Sequence, residues 1–190
     1  MWAVAATSTL ANPGLWCARR WRGFTVIELL TTVVVLAVSL ALAAPALSSF
    51  MRSNQLRATQ SELVSSLMLA RSEAARVGIS ARVDALQPVA SGGFTQGWRV
   101  WVDSDADGVV DAGESLREVP KRTGGVTITT SVPSVVFNAS GFLDPVTPVS
   151  FDVKGAVSDD KRYCVLLTPV GMADVSKEAK VSALPCPVVP

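Results

Sequence analysis

Histidine is absent from all 190 residues, and with it the side chain that most often serves as general base or metal ligand near neutral pH. The sequence also lacks G-x-S-x-G, the phosphate-cradling G-x-x-x-x-G-K-[ST] and G-x-G-x-x-G, so no familiar nucleophile elbow or nucleotide turn is present. Asp159-Asp160 pairs two carboxylates, but Lys161-Arg162 follows at once, and the stretch reads as a solvated turn. These absences argue against catalysis. Charge of one sign is lacking too: 17 basic residues face 16 acidic ones. Three of the basic residues (Arg19, Arg20, Arg22) and one acid (Glu28) precede Arg52, leaving 14 basic against 15 acidic beyond it. So balanced a surface offers no electrostatic footprint for nucleic acid. No internal repeat and no low-complexity linker divides the chain.

What the sequence does have is one long apolar run. Hydrophobic residues make up 49% of the chain, with a mean hydropathy of +0.37, and much of that excess lies between Phe24 and Met51. No charged residue occurs between Glu28 and Arg52. At about 1.5 Å per helical residue the run is long enough to cross roughly 30 Å of hydrocarbon. Glu28 stands near its start, where burial in lipid costs several kcal/mol unless a partner is found. The basic cluster Arg19-Arg20-Trp21-Arg22 should stay cytoplasmic. A secretory signal has an apolar region of about 7 to 15 residues, shorter than this one, although Ala41-Leu42-Ala43 and Ala44-Pro45-Ala46 offer small-residue cut sites. A plain anchor explains the hydrophobicity but neither the Gly23-Phe24 junction nor Glu28.

Phe24 to about Val77 reads as one helix, apolar all round in its first half and containing Pro45, which removes a backbone donor and favours a bend. From Arg52 it becomes amphipathic: Leu56, Leu63, Leu67, Ala70, Ala74 and Val77 recur at spacings of three, four and seven. That stripe is expected to pack on a sheet, and Gly78 to end the helix. Short runs rich in β-branched and aromatic residues follow, at 79–86, 98–102, 115–119, 126–130, 135–137, 149–153 and 163–167, with a last strand in 172–175 or 181–184. The order predicts an α+β fold, a long N-terminal transmembrane-to-amphipathic helix packed on antiparallel β-sheet. About 140 residues beyond the apolar run suffice for one globular domain.

Within that domain, Asp103-Ser-Asp105-Ala-Asp107-Gly108-Val109-Val-Asp111-Ala-Gly-Glu114 fits the twelve-position calcium loop. Side-chain oxygens fall at positions 1, 3, 5, 9 and 12, glycine at 6 and the Val109 carbonyl at 7. Alternate side chains of this kind converge on a hard cation. A solvated hairpin loop explains the same residues, since Asp and Gly favour turns by themselves, and strand-like flanks exclude a helix–loop–helix hand. Three cysteines complete the inventory. Cys17 precedes the apolar run, whereas Cys164 and Cys186 lie in the part expected outside the inner membrane, where disulfides persist. A bridge between them would contribute about 3 kcal/mol in the chain-entropy model. Two free thiols are the alternative, and a metal pair lacks the histidines to complete it.

Gly23-Phe24-Thr25-Val26-Ile27-Glu28-Leu29-Leu30 resembles the N-terminus of a type IV prepilin. The resemblance implies a leader over 1–23, cut by prepilin peptidase between Gly23 and Phe24. Phe24 would then be the N-methylated terminus and Glu28 the fifth mature residue, paired in a filament with a neighbour's terminal amine. It further implies a hydrophobic helix over 24–51, held in the bacterial inner membrane and then in a filament core, and a periplasmic pilin-like domain over 52–190. Partners would be other pilins or pseudopilins. Leu69-Ala70-Arg71-Ser72-Glu73-Ala74, Gly97-Trp98-Arg99-Val100 and Val136-Phe137-Asn138-Ala139-Ser140-Gly141 are similar to marks of the minor pilin and pseudopilin branch, which includes the GspH-like pseudopilins of type II secretion and the FimT-type minor pilins. Some FimT-type proteins serve DNA uptake through a Gly-Arg-x-Arg motif. The corresponding Gly171-Met172-Ala173-Asp174 keeps only the glycine, which places a DNA-binding role behind an assembly role.

Overall fold

The computed structural model describes residues 23–155, 162–178 and Cys186. The leader, the Asp159-Asp160 pair and the alternative strand at 181–184 lie outside the described residues. One helix, α1 (Val26–Val77), is followed by eight strands: β1 (Ala81–Ala85), β2 (Gly97–Val102), β3 (Ser115–Pro120), β4 (Thr127–Thr129), β5 (Ser134–Phe137), β6 (Val149–Lys154), β7 (Arg162–Leu167) and β8 (Ala173–Glu178). The antiparallel β-structure expected beside the helix is present as two four-stranded sheets, ordered β3-β2-β1-β5 and β4-β6-β7-β8, with every pairing antiparallel. The chain divides into two compact units, one up to Ala43 and one from Ala44 onward.

In the second unit, α1 buries Leu56, Leu63, Leu67, Ala70 and Ala74, the stripe expected from the spacing, while Val77 is half-buried. Small residues in the last turns let the helix approach the sheets closely, and full burial of a leucine contributes about 1.5–3 kcal/mol. The helix ends where Gly78 donates its N–H to the Ala74 carbonyl at 2.9 Å. Opposite the stripe, Val83 pairs with Val100 on one side and Val135 on the other, and Phe151 pairs with Val165 in the second sheet. All five belong to one buried cluster with the helix.

Two short 3-10 turns, Val89–Ser91 and Gly93–Gln96, were not foreseen, and they join the sheets. Phe94 meets Phe151 edge-on, with ring centroids 5.2 Å apart. Its neighbour Thr95 brackets the β4 backbone: its hydroxyl oxygen accepts from the Ile128 N–H at 2.8 Å and donates to the Ile128 carbonyl at 3.1 Å. Both backbone groups of an edge strand are thereby satisfied by one side chain.

Arg162 departs from expectation. Read as part of a solvated turn, it is fully buried at the start of β7. Antiparallel pairing with β6 brings its Nε within 3.0 Å of Asp152 Oδ1, and Lys154 Nζ lies 2.7 Å from Asp152 Oδ2. Cys164 and Cys186 are disulfide-bonded, tying Cys186 to the middle of β7.

Replacing Thr95 with Val keeps the shape but strands both Ile128 backbone groups. The expected loss is about 1–3 kcal/mol, read as a lowered midpoint in chemical denaturation with an unchanged slope.

Candidate functional site

The first feature is the start of α1. Residues 23–25 precede the helix, and Thr25 caps it: the Glu28 N–H donates to Thr25 Oγ1 at 3.2 Å and the Leu29 N–H to the Thr25 carbonyl at 3.1 Å. Thr25-x-x-Glu28 is thus the frame of a capping box, a signal present in the sequence that the reading of Glu28 alone passed over. Glu28 stands in the first turn, where the unpaired N–H groups make the potential positive and favour a carboxylate. Phe24 is 81% exposed and the large hydrophobic residues from Val26 to Met51 are all exposed. The helix is long and apolar enough to cross a membrane. It continues through Pro45, where Ser48 and Ser49 hydroxyls donate to the Pro45 and Ala46 carbonyls at 2.9 Å each.

The second feature is the acidic loop between β2 and β3. It begins beside the C-terminal end of α1, since the Asp103 N–H donates to the Ser80 carbonyl at 3.0 Å. Asp103 and Glu114 are buried, while Asp105, Asp107 and Asp111 are exposed. Glu114 braces the loop across its neck: Oε1 accepts from the Ser104 N–H at 2.8 Å and Oε2 from the Asp111 N–H at 3.0 Å. Asp107 Oδ1 accepts from the Val109 N–H at 2.7 Å. Gly108 takes a left-handed φ of 76°, which a Cβ would strain, as the sixth position of such a loop requires.

The six predicted residues do not converge on one point. Carboxylate oxygens of Asp103, Asp105 and Glu114 lie within 4.8 Å of one another, and those of Asp105, Asp107 and Asp111 form a second such group. Asp105 belongs to both. A residue that sequence reasoning missed lies beside the first group: Arg82 on β1, whose Nη1 is 3.6 Å from Asp103 Oδ2. Its guanidinium is held 5.3 Å over the Trp101 ring, and Trp101 Nε1 donates to Asp84 Oδ2 at 2.7 Å. The alternation that put Arg82 and Asp84 on the polar face of β1 was legible; their meeting with the loop needed the β1–β2 register.

The loop's electrostatics follow from this geometry. Repulsion from Asp107 in the first place, then some loss of hydration and the charges of Asp105 and Glu114, hold the Asp111 carboxyl above its ordinary range. Glu114 moves the other way, below its ordinary range, because the backbone N–H groups of Asp111 and Ser104 bond its charged form.

The Gly171 turn between β7 and β8 is the place where a basic motif would stand. Gly171 has φ 77° and no room for a Cβ against the Gly141 carbonyl and the Arg71 side chain. Arg71 Nε donates to that same carbonyl at 3.1 Å. Met172 is exposed, and so is Asp174.

A family model described as "Type II transport protein GspH" matches residues 59–171. No curated protein sequence matches the chain significantly. Among solved structures, the type IV minor pilin FimU of Pseudomonas aeruginosa is similar in two crystal forms. The P21 form is 23% identical over 67% of this chain and 92% of that one, with TM-score 0.54. The P65 form is 22% identical over 63% and 91%, with TM-score 0.51. The minor pseudopilin EpsH of the Vibrio cholerae Type 2 Secretion System is more distant, at 16% identity over 63% and 93%, with TM-score 0.46.

The loop makes a prediction about pH. Lowering pH from neutral first protonates Asp111, whose raised pKa marks a repulsion that is then relieved. Further acidification through the lowered pKa of Glu114 removes the bonds that close the neck, so that contribution, complete above the ordinary carboxylate range, is lost. A plot of melting temperature against pH should therefore fall only at the acid end, and Glu114→Gln should start lower at neutral pH and show a flatter acid limb.

Proposed function

Because the chain belongs to the GspH family of minor pilins and pseudopilins, we propose that it is a filament-assembly subunit whose apolar helix passes from the bacterial inner membrane into the core of a type IV pilus or type II secretion pseudopilus. The observation that carries this reading is the division of one helix: an uncovered apolar half, 24–51, and a second half whose stripe is the core of the domain. Prepilin peptidase removes 1–23, Phe24 becomes the methylated terminus, and the domain from Arg52 lies in the periplasm. Glu28 has no ion-pair partner among the described residues; in a filament the amine of a neighbour's Phe24 supplies one. That pairing offsets the cost of burying a carboxylate and sets the axial register. DNA uptake is the weaker alternative, since Met172 and Asp174 stand where the basic motif would need arginines.

The experiment is mass spectrometry of the mature polypeptide, which should begin at a methylated Phe24. Glu28→Ala should insert normally, lose no more than about 1 kcal/mol of helix stability and enter filaments poorly; normal incorporation contradicts the charge pairing.

We also propose that the loop carrying Asp103, Asp105, Asp107, Val109, Asp111 and Glu114 takes calcium as a structural ion, favoured by two carboxylate groups that share Asp105. The ion would relieve the repulsion on Asp111. Millimolar calcium should raise the melting temperature of the protein, and Asp105→Asn should abolish the rise. No heat in calorimetric titration and no shift in melting would refute it.

A further inference from the structure

At the end of the apolar run, a cavity of about 360 Å³ opens between α1 and β7, lined by Ser49, Phe50, Ser53, Asn54, Arg57 and Tyr163. The Ser53 hydroxyl and the Asn54 amide are available from the helix. Arg57 Nε donates to the Tyr163 hydroxyl oxygen at 3.3 Å, and no other side-chain partner engages Arg57 among the described residues.

Among the described residues, the charge around this cavity is mainly basic. From Arg52 to Ser61 the helix carries two arginines and no acid. The loop after β3 adds exposed Lys121 and Arg122, and it reaches this end of the helix because Gly124 rests against the Gln55 side chain. The first acid on the helix after Arg52, Glu62, is engaged by Arg117 and Arg122. The acidic loop stands at the opposite end of α1, beside Ser80. Among the described residues the domain is therefore polarised, basic where the apolar run ends and acidic at the other end.

Distance along the helix sets the depth. Arg57 lies six residues beyond Met51, about 9 Å at 1.5 Å per residue, and a headgroup layer is about 5–8 Å thick on each side of the hydrocarbon. With the apolar run in hydrocarbon, Arg57 and Tyr163 stand at the outer edge of the headgroups.

The geometry points to a phospholipid headgroup site: the cavity takes the phosphate of an anionic lipid in the leaflet through which α1 leaves the membrane. Arg57 supplies the charge, and Tyr163, Ser53 and Asn54 supply the hydrogen bonds. Phe50, at the mouth, lies against the upper acyl chain. The bound lipid ties the base of the domain to the bilayer surface and is released when the subunit enters a filament. This inference rests on the membrane-anchored reading above.

Tyr163 is the only tyrosine in the chain, so 3-fluorotyrosine gives a single 19F signal inside the cavity. The full chain would be placed in nanodiscs of phosphatidylcholine with increasing phosphatidylglycerol. The expected result is a resonance that shifts with the anionic fraction and saturates. Arg57→Gln should raise the half-response fraction by about fivefold, with an unchanged melting temperature to show that it folds. No shift, or an equal shift in Arg57→Gln, overturns the site. An equal shift from inorganic phosphate in pure phosphatidylcholine discs makes it a free-anion site and overturns the lipid. A signal that follows the number of copies per disc assigns the cavity to a second chain and overturns it as well. Alkaline extraction separates the two levels: a chain that washes out of vesicles refutes the anchor and the headgroup site together, whereas a retained chain with no shift refutes the headgroup site alone.

Discussion

One continuous helix has to be soluble in two different ways. Over 24–51 every face is apolar and none of it is covered by the rest of the chain, which water does not tolerate without lipid or other chains around it. From Arg52 a single stripe is apolar and the rest is charged or polar, which is what a sheet on one side and water on the other require. The change of pattern falls within about two turns. Backbone hydrogen bonding does not mark the change, since an α-helix satisfies its own donors and acceptors in either solvent.

This constraint explains why the helix, its stripe and its Gly78 end were all legible in the sequence: periodicity reports burial directly, and the second half of α1 has only one partner surface. The strands were legible for the same reason, with ends displaced by at most three residues. What could not be read was anything decided by register between distant segments. Arg162 sits among polar neighbours in sequence, yet β6–β7 pairing places it under cover beside Asp152. The 3-10 turns were hidden because Val89–Gln96 has no period of its own; its order comes from Phe94 and Thr95 reaching into the second sheet.

The acidic loop shows both kinds of information in one place. Its spacing announced a closed turn, and Gly108 takes the left-handed φ that position 6 asks for, while Glu114 closes the neck by accepting from the Ser104 and Asp111 N–H groups. Local spacing carried no information about Arg82, which comes from another strand and lies beside Asp103 as a fixed cation. The loop is therefore already partly neutralised on its sheet side, and the remaining repulsion is concentrated on its exposed rim at Asp107 and Asp111. A mobile cation has most to gain at that rim.

The core cluster begins at Leu56 and draws nothing from the apolar run. The proposed exchange of lipid for neighbouring subunits around 24–51 would therefore change no contact within that core. The Thr25 cap belongs to the helix itself and would accompany it through that exchange, so the surroundings of the Glu28 carboxylate are what would differ. If the proposed function holds, assembly would be a change of solvent for one rod, with the two sheets carried along already folded, and selectivity would reside in the few polar groups near the ends of the rod: the Phe24 amine and Glu28 at one end, and Arg52 and Arg57 at the other.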